Sequence, residues 1–318
     1  MRKDNAVSEQ KSLRVLDIYT QLINGEVVNK SKEAERFGKT NRTIQSDIDT
    51  VRAFCAEKSA MGEPDREVVY DKKLNGYCLK TTDERILKIS EIFAVCKILL
   101  ESRAFCKSDL EPLIEKLIFN CIPKGNRRTV KELLSNEMYH YVEPRHGKHF
   151  IKYMWEIAEA VRQHLYIKMV YERLNGSAVE REIKPVGIMF SEFYFYLTGF
   201  IENINKETEF KNPGDIFPTI YRIDRIQRFE VLDKHFDIPY RDRFEEGEFR
   251  KRIQFMHGGK LRRIKFLYKG VNPEAVLDRL PTAKIVEKND DGYVITAEVF
   301  GDGVDMWIRS QGEWVEVL

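Results

Sequence analysis

The stretch KTNRTIQSDI, residues 39–48, decides how the first part of the chain is interpreted. Its front is polar and basic, whereas apolar residues recur toward its back with the spacing of one helical face. Thr40 is a candidate N-cap for this helix. The predicted apolar stripe is Ile44, Ile48, Val51 and Cys55. A helix that enters the major groove of DNA needs such an apolar back and a polar front that reaches base edges.

Further helices and a hairpin surround this stretch. Residues 8–24 have the periodicity of a helix that ends at Asn24-Gly25, and a short second helix ends at Gly38, where glycine tolerates the left-handed C-cap. The residues predicted on the apolar face of the first helix are Leu13, Leu16 and Ile23. The segment REVVYDKKLNGYCLK predicts two short strands with a turn at Asn75-Gly76. Three helices followed by a hairpin predict a winged helix-turn-helix in residues 1–80.

The front of the third helix and the hairpin tip carry side chains that suit duplex DNA. Gln suits adenine, Arg suits guanine or a phosphate, Ser and Thr suit either, and Lys suits phosphates. The candidate DNA-binding residues are Lys39, Thr40, Asn41, Arg42, Thr43, Gln45, Ser46, Lys72 and Lys73. The alternative is an ordinary amphipathic helix whose charged face meets only solvent.

Length and composition bound the other possibilities. The chain has 318 residues, 42% of them hydrophobic, which indicates two or three domains with real cores. No apolar run reaches the roughly 18 residues of a membrane span, and the polar start lacks a signal-peptide core. The five cysteines form no C-x-x-C pair. We therefore expect a cytoplasmic protein that has no membrane partner and keeps its thiols reduced.

Three more segments follow the head in the sequence pattern. Residues 81–150 are mostly helical and predict a linker or dimerisation region. Residues 151–235 change to a period of two and contain the hairpin signal Asn175-Gly176, which predicts a small β-barrel. Residues 245–318 read strand, helix, two strands, helix, strand, an order that suits an α+β unit. The predicted fold class is α+β multidomain.

Residues 1–80 resemble the winged helix-turn-helix of DeoR-type bacterial regulators. The resemblance rests on the run from Thr40 to Ile44, which fills the serine-x-arginine-threonine-isoleucine pattern of their reading helix. Glu33 stands where the short helix usually carries leucine, and Lys39 stands where valine is usual. Both departures are expected to loosen the packing of the second helix.

Residues 155–233 resemble the WYL domain, which is named after a tryptophan-tyrosine-leucine triplet. The matching features are Phe195-Tyr196-Leu197, Tyr171 at the end of the first strand, REIKP at Arg181–Pro185 and YRIDRI at Tyr221–Ile226. The resemblance implies an Sm-like barrel with a basic, aromatic-edged pocket, and residues 249–318 resemble the extension that often follows it. The ligand-binding residues that it implies are Tyr171, Arg181, Tyr196, Arg222 and Arg225.

The chemistry of this set suits an anion beside an aromatic face. Arginine forks bind phosphate, and aromatic rings stack on bases, so a nucleotide or short single-stranded nucleic acid is the expected effector. Arg222 and Arg225 face opposite ways in a regular strand, so a turn or bulge after Asp224 is needed to bring them together. A buried arginine without an anion is costly, which favours a bound ligand over an internal pair between Arg222 and Asp224.

The predicted function is a transcriptional regulator, slightly more in keeping with a repressor, whose operator binding responds to the effector. One reading helix covers few base pairs, so a homodimer is expected, with the apolar helices of Ile86–Leu100 contributing. Two alternatives stay open: an accessory protein that binds RNA or single strands without an operator, and an enzyme acting on nucleotides. No enzyme is expected because nucleotide-binding and hydrolase motifs are missing. No metal or other cofactor is expected, because His140, His146 and His149 fit a polar loop.

Overall fold

The computed structural model describes residues 2–81, 87–205, 207, 217–237 and 245–318. The chain divides into two compact units, Met1–Val142 and Glu143–Leu318. The first residues of the predicted linker, 82–86, lie outside the described residues, including Ile86 of the expected dimer contact. The four segment boundaries given by the sequence stay a prediction.

The first unit begins with three helices and an antiparallel hairpin, in the predicted order. They are α1 (Arg2–Ile23), α2 (Lys30–Phe37), α3 (Asn41–Ala60), β1 (Arg66–Asp71) and β2 (Gly76–Thr81). We call residues 2–81 the head. Asn29 caps α2 by accepting the N–H groups of Ser31 and Lys32, and Gly38 ends it with a φ of +59°. The predicted N-cap of α3 is confirmed, since the Thr40 hydroxyl accepts the Thr43 N–H at 3.2 Å.

The core of the head confirms the predicted stripe of α3 and corrects the predicted face of α1. Ile44, Ile48, Val51 and Cys55 are all buried. On α1, however, Leu13 is 66% and Leu16 is 59% exposed, whereas Ile18 and Leu22 are buried. The face of α1 that meets α3 also carries Arg14, whose guanidinium forms a two-bond ion pair with the buried carboxylate of Asp47. Turning Arg14 outward would leave Asp47 buried and unpaired, which is strongly unfavourable.

The two departures from the DeoR-type pattern do not leave gaps in the head. Glu33 is buried, but its carboxylate accepts the Arg36 guanidinium at 3.2 Å and the Gln21 amide at 3.4 Å. Polar partners therefore replace the apolar packing that leucine supplies. Lys39 is exposed, so its charge stays hydrated and carries no desolvation penalty. The expected loosening of the second helix is not observed.

The hairpin turn differs from the predicted one. It spans Lys72–Asn75, and Gly76 already pairs with Asp71 in the ladder. Asn75 supplies the left-handed residue, with a φ of +50°. Gly76 is needed because a Cβ there would lie 2.4 Å from the Val27 side chain, beside the bridge between Val28 and Tyr77.

Three more helices complete the first unit. They are α4 (Ile89–Ser102), α5 (Lys107–Cys121) and α6 (Lys124–Tyr139). Ile92, Ile114 and Leu134 are fully buried and form part of their core. Within the described part of the chain, no helix combines the length and apolar character that crossing a membrane requires.

The second unit begins with a helix and a five-stranded antiparallel sheet. The elements are α7 (Ile151–Gln163), β3 (Leu165–Glu172), β4 (Ala178–Ser191), β5 (Tyr194–Ile201), β6 (Thr219–Arg222) and β7 (Ile226–His235). The strand order is β6-β5-β4-β3-β7, so β6 and β7 are the two edges. A single 3-10 turn, Ile223–Arg225, joins these edges. The sheet must therefore curl until its edges approach each other.

The remainder of the second unit contains the predicted strands and helices plus one short helix that the sequence pattern did not indicate. The elements are α8 (Glu246–Arg252), β8 (Leu261–Tyr268), α9 (Glu274–Arg279), β9 (Lys284–Asn289), β10 (Gly292–Phe300), α10 (Gly303–Ser310) and β11 (Val315–Val317). The strand order is β11-β8-β10-β9. Phe266 of the sheet packs edge-on against Trp307 of α10 in the core.

Candidate nucleic-acid interface and candidate effector site

The front of α3 presents part of the predicted DNA-binding set to solvent. Asn41, Arg42 and Ser46 are exposed, and Lys39 is exposed just before the helix. Arg42 and Ser46 lie on the side of α3 away from the buried stripe, because each residue advances about 100° around the helix axis. The apolar back fixes this helix on the head, so its polar front has a defined orientation.

Other members of the predicted set bond within the head. The hydroxyls of Thr40 and Thr43 lie 3.0 Å apart. The Gln45 carbonyl oxygen accepts the Lys30 ammonium at 3.0 Å and the Tyr77 hydroxyl at 2.7 Å, and its amide donates to Asp49 at 3.0 Å. Gln45 therefore positions α3 against the hairpin, and the predicted residues of α3 that are exposed are Asn41, Arg42 and Ser46.

The hairpin tip holds Lys72 and Lys73 in an ordered turn. Both lysines are exposed. The Asp71 carboxylate accepts the Lys73 N–H at 2.8 Å, and the Tyr70 hydroxyl donates to the Asn75 side chain at 2.8 Å. These bonds lower the conformational freedom of the turn, so a phosphate contact by either lysine orders only its own side chain.

In the second unit, Arg222 lies at the end of β6 and meets an anion of the protein itself. Its Nη2 donates to Asp224 Oδ2 at 2.7 Å and its Nε donates to Oδ1 at 3.1 Å. The guanidinium carbon lies 3.4 Å from the centre of the Tyr194 ring. Asp224 therefore supplies the anion that Arg222 needs. The expectation that this anion must come from a bound ligand is wrong.

The pair nevertheless leaves Arg222 able to bind a ligand. Asp224 uses two of the five N–H donors of the guanidinium, which leaves three for other acceptors. The Arg222 side chain is 21% exposed, against 5% for Asp224. Burial alone would lower the pKa of Arg222, but the hydrogen bonds and charge of Asp224 raise it overall, so the side chain stays cationic.

Tyr171, Arg181 and Arg225 surround a second part of the same region. The Tyr171 hydroxyl accepts the backbone N–H of Arg222 at 3.2 Å, and its ring packs edge-on against Tyr221 at 4.9 Å. Burial raises the pKa of Tyr171, and the nearby Arg225 partly opposes the rise. Burial also raises the pKa of Tyr221, with Arg181 opposing it. In a regular strand, Arg222 and Arg225 would face opposite ways. The 3-10 turn at Ile223–Arg225 interrupts the strand between them.

Tyr196 completes the predicted set, while its neighbours in the triplet are structural. Tyr196 is paired with Arg222 across the ladder between β5 and β6, and burial raises its pKa. Leu197 is fully buried, and Phe195 packs edge-on against Phe150 at 5.7 Å. The structure thus brings Tyr171 and Tyr196 to Arg222, while Arg225 acts on the pKa of Tyr171 and Arg181 on that of Tyr221. The role of the five residues in binding stays a prediction.

Comparison with known proteins identifies this region. Residues 152–231 match the family model of the WYL domain. This segment is a WYL domain. The match covers α7 and the five-stranded sheet, and it includes every residue predicted for the effector site. The DeoR-type resemblance of the head stays a prediction.

Two solved structures are similar to this chain at low identity. Proteasome accessory factor B/C (PafBC) of Arthrobacter aurescens is 14% identical with a TM-score of 0.28, and the alignment covers 97% of this chain and 44% of that one. A CRISPR Cas-related protein is 15% identical with a TM-score of 0.35, and the alignment covers 74% of this chain and 70% of that one. The chain thus spans less than half the length of PafBC. No curated protein matches it.

Two residues outside the predicted effector set, Tyr194 and His146, lie beside Arg222 or its stacking partner, and His146 precedes the matched segment. Tyr194 stacks on Arg222, and the ring of His146 lies 6.3 Å from that of Tyr194. The Nδ1 atom of His146 accepts the Lys148 N–H at 2.9 Å. Its Nε2 atom is buried and has no hydrogen-bond partner among the described residues. Burial lowers the pKa of His146, and its loop carries no sequence signal that would have indicated this position.

Proposed function

We propose that the chain is a transcriptional regulator whose head binds duplex DNA and whose WYL domain binds an anionic effector. The observation that carries the proposal is the front of α3. Asn41, Arg42 and Ser46 face solvent above a buried stripe, beside a hairpin tip that presents Lys72 and Lys73. This is the arrangement that a winged helix-turn-helix of DeoR type uses to read the major groove and to contact phosphates.

The proposed mode of binding is that of a homodimer. A single reading helix contacts only a few base pairs, so two heads on a pseudo-palindromic operator are required for a specific site. Repression is slightly favoured, since a dimer seated on an operator blocks access to the DNA beneath it. The effector changes this binding only if its affinity differs between the DNA-bound and free states of the protein.

The proposed effector is a nucleotide or a short single-stranded nucleic acid. Arg222 offers three unused donors beside the Tyr194 ring, and Arg225 and Arg181 add positive charge around Tyr171 and Tyr221. In such a site, the arginines bind a phosphate and the aromatic rings stack on a base. We propose that the curled sheet is an Sm-like barrel and that this site opens at its edge.

A second candidate function rests on the same stacked pair. Single-strand-binding proteins combine cations with aromatic platforms, as Arg222 and Tyr194 do here, without any preferred operator. An accessory protein that binds RNA or single strands would therefore use the WYL domain alone. The two candidates differ in what they predict for duplex DNA of different sequences.

Selection of binding sites from a randomised duplex library tests the regulator. We expect one preferred sequence, and we expect Arg42→Ala to weaken binding to it by roughly tenfold to a hundredfold, because a good base contact is worth about 1–3 kcal/mol. Lys58→Ala, at the far end of α3, is the matched control and should bind as the wild type does. Equal affinity of the wild-type protein for every duplex would refute the proposal, as would an Arg42→Ala variant with unchanged affinity.

A further inference from the structure

A basic groove lies in the helical part of the first unit, between α5 and α6. It encloses about 670 Å³. Five cations and two carboxylates line it, although the net charge of the whole chain is only +2. The cations are Lys116, Lys124, Arg127, Arg128 and Lys131. None of these residues belongs to the predicted DNA-binding set or to the effector site.

An exposed aromatic side chain accompanies the cations. Phe119 is 65% exposed on α5. The Arg127 guanidinium lies 4.6 Å from the centre of the Phe119 ring, and its Nε donates to the Ile122 carbonyl at 2.8 Å. These contacts hold the planar guanidinium in one orientation, so binding an anion would cost Arg127 little side-chain entropy.

The carboxylates of the groove do not lock its cations. Arg128 pairs with Glu132 at 2.7 Å, although its side chain is 90% exposed, and Lys131 pairs with Glu115 at 3.2 Å. Exposed pairs of this kind contribute only about 0–1 kcal/mol, so a phosphate can replace the carboxylate. The first turn of α6 also lacks any acidic residue, which leaves the positive end of its dipole without compensation.

The groove is attached to the head on the side of the hairpin. The backbone N–H of Lys124 donates to the Asn24 carbonyl at 3.0 Å, and its ammonium pairs with Glu26 at 2.7 Å. Pro123 packs so closely on Gly25 that a Cβ at Gly25 would lie 2.6 Å from the proline ring. The same stretch of chain then reaches the hairpin tip, where the Asn29 amide donates to the Asn75 carbonyl at 2.6 Å.

We infer that this groove binds phosphates of the duplex that flanks the operator, beyond the hairpin. The inference rests on the proposed function, because the head must sit on duplex DNA for the groove to reach its flank. Lys124 pairs with Glu26, and three residues further along the chain Asn29 bonds to Asn75 at the hairpin tip. The groove is therefore joined to the part of the head that carries Lys72 and Lys73. Each protomer then contacts a longer stretch of duplex than the base contacts of its head alone would cover.

The test is a triple neutralisation, Lys116→Gln with Arg128→Gln and Lys131→Gln. On a duplex of about four helical turns, the log–log salt slope should fall by roughly 2–3 for each protomer bound, because each phosphate contact contributes about 0.9. On the preferred site trimmed to about one and a half turns, the variant should bind as the wild type does. The matched control removes three exposed, carboxylate-paired cations of the second unit, Lys152→Gln, Arg162→Gln and Arg263→Gln.

The outcomes separate the groove from the proposed function. Equal salt slopes for the triple variant and its control overturn the inference. A fall in the salt slope that is as large on the short duplex as on the long one also overturns it. A loss confined to single strands overturns the assignment to duplex DNA. If the wild-type protein binds the long duplex without sequence preference, the regulator proposal fails, and the slope still decides whether the groove binds phosphates. No binding to the long duplex overturns both.

Discussion

At the scale of single residues, the pair of Arg222 and Asp224 is central to the effector site that we propose for the WYL domain. A partly buried arginine that already has a carboxylate partner is stable without a ligand. Stacking on Tyr194 holds the guanidinium flat, with three donors left for a phosphate. The site is therefore preorganised for an anion, and binding gains from this because little side-chain order remains to be imposed.

Removing one or both charges of this pair separates stability from effector binding. Arg222→Gln leaves Asp224 buried without its cation and should lower the free energy of unfolding by about 3–5 kcal/mol. The double variant Arg222→Gln with Asp224→Asn should recover most of this stability and still lose the effector. Thermal unfolding and titration with a fluorescein-labelled oligonucleotide measure the two effects. A double variant that binds the oligonucleotide like the wild type would exclude Arg222 from the site.

The sequence predicted this site in part, and the missing part has a physical reason. The resemblance to the WYL domain predicts Tyr171, Arg181, Tyr196, Arg222 and Arg225. Tyr171 bonds to Arg222 and Tyr196 pairs with it across the ladder, while the binding role of the set stays a prediction. Asp224 as the partner of Arg222 was an open alternative, because spacing alone cannot weigh an internal anion against a bound one. His146 was not predictable, since only the tertiary fold brings its loop beside Tyr194.

At the scale of elements, the ion pair between α1 and α3 sets how the reading helix is held. Apolar residues lie all around α1, so the pattern allowed more than one buried face. Arg14 and Asp47 select the face, because a buried carboxylate on α3 requires a cation opposite it. Periodicity predicted the existence of both helices, but a polar pair across their interface decided the rotation of α1.

Arg14→Ala should destabilise the head without affecting the second unit. Loss of the cation from a buried pair costs about 3–5 kcal/mol, whereas Arg14→Met with Asp47→Leu should restore most of it. All three tryptophans lie in the second unit, at Trp155, Trp307 and Trp314. In a urea titration, the first change in the far-UV circular dichroism of Arg14→Ala should come at a lower urea concentration than in the wild-type protein. The tryptophan fluorescence transition should stay at the wild-type concentration. Equal displacement of both signals would contradict a role confined to the head.

At the scale of the whole molecule, the order of elements was predictable from local pattern, whereas the small β-barrel expected for residues 151–235 stays a prediction. Strand periodicity and turn residues indicated the strands of the second unit, because each depends on local pattern. The approach of β6 to β7 depends on a single short turn whose geometry the pattern did not determine. Regulation in turn depends on linkage between effector and DNA, which is a property of the complete chain.

The pH dependence of effector binding follows from the position of His146. Burial lowers its pKa, Asp224 and Glu143 raise it, and Arg222 and His149 lower it further. The unfolded chain takes up this proton near pH 6.5, before the folded chain does, so the stability that His146 contributes is complete above about pH 6.5 and declines as the pH falls. A bound phosphate adds negative charge beside the ring and raises the pKa again. Effector binding should therefore take up a proton and strengthen as the pH falls through the pKa that His146 has in the complex.

For one proton, the affinity for a labelled oligonucleotide should rise by at most tenfold per pH unit, because the linkage energy is about 1.4 kcal/mol per unit. His146→Gln should flatten this dependence and keep the affinity measured near neutral pH, since Gln can still accept the Lys148 N–H. Calorimetry in buffers of different ionisation enthalpy counts the proton directly. The control is His235→Gln, another histidine of the second unit, which should keep the wild-type profile. Identical pH profiles for wild-type protein and His146→Gln would show that the anion binds elsewhere in the WYL domain.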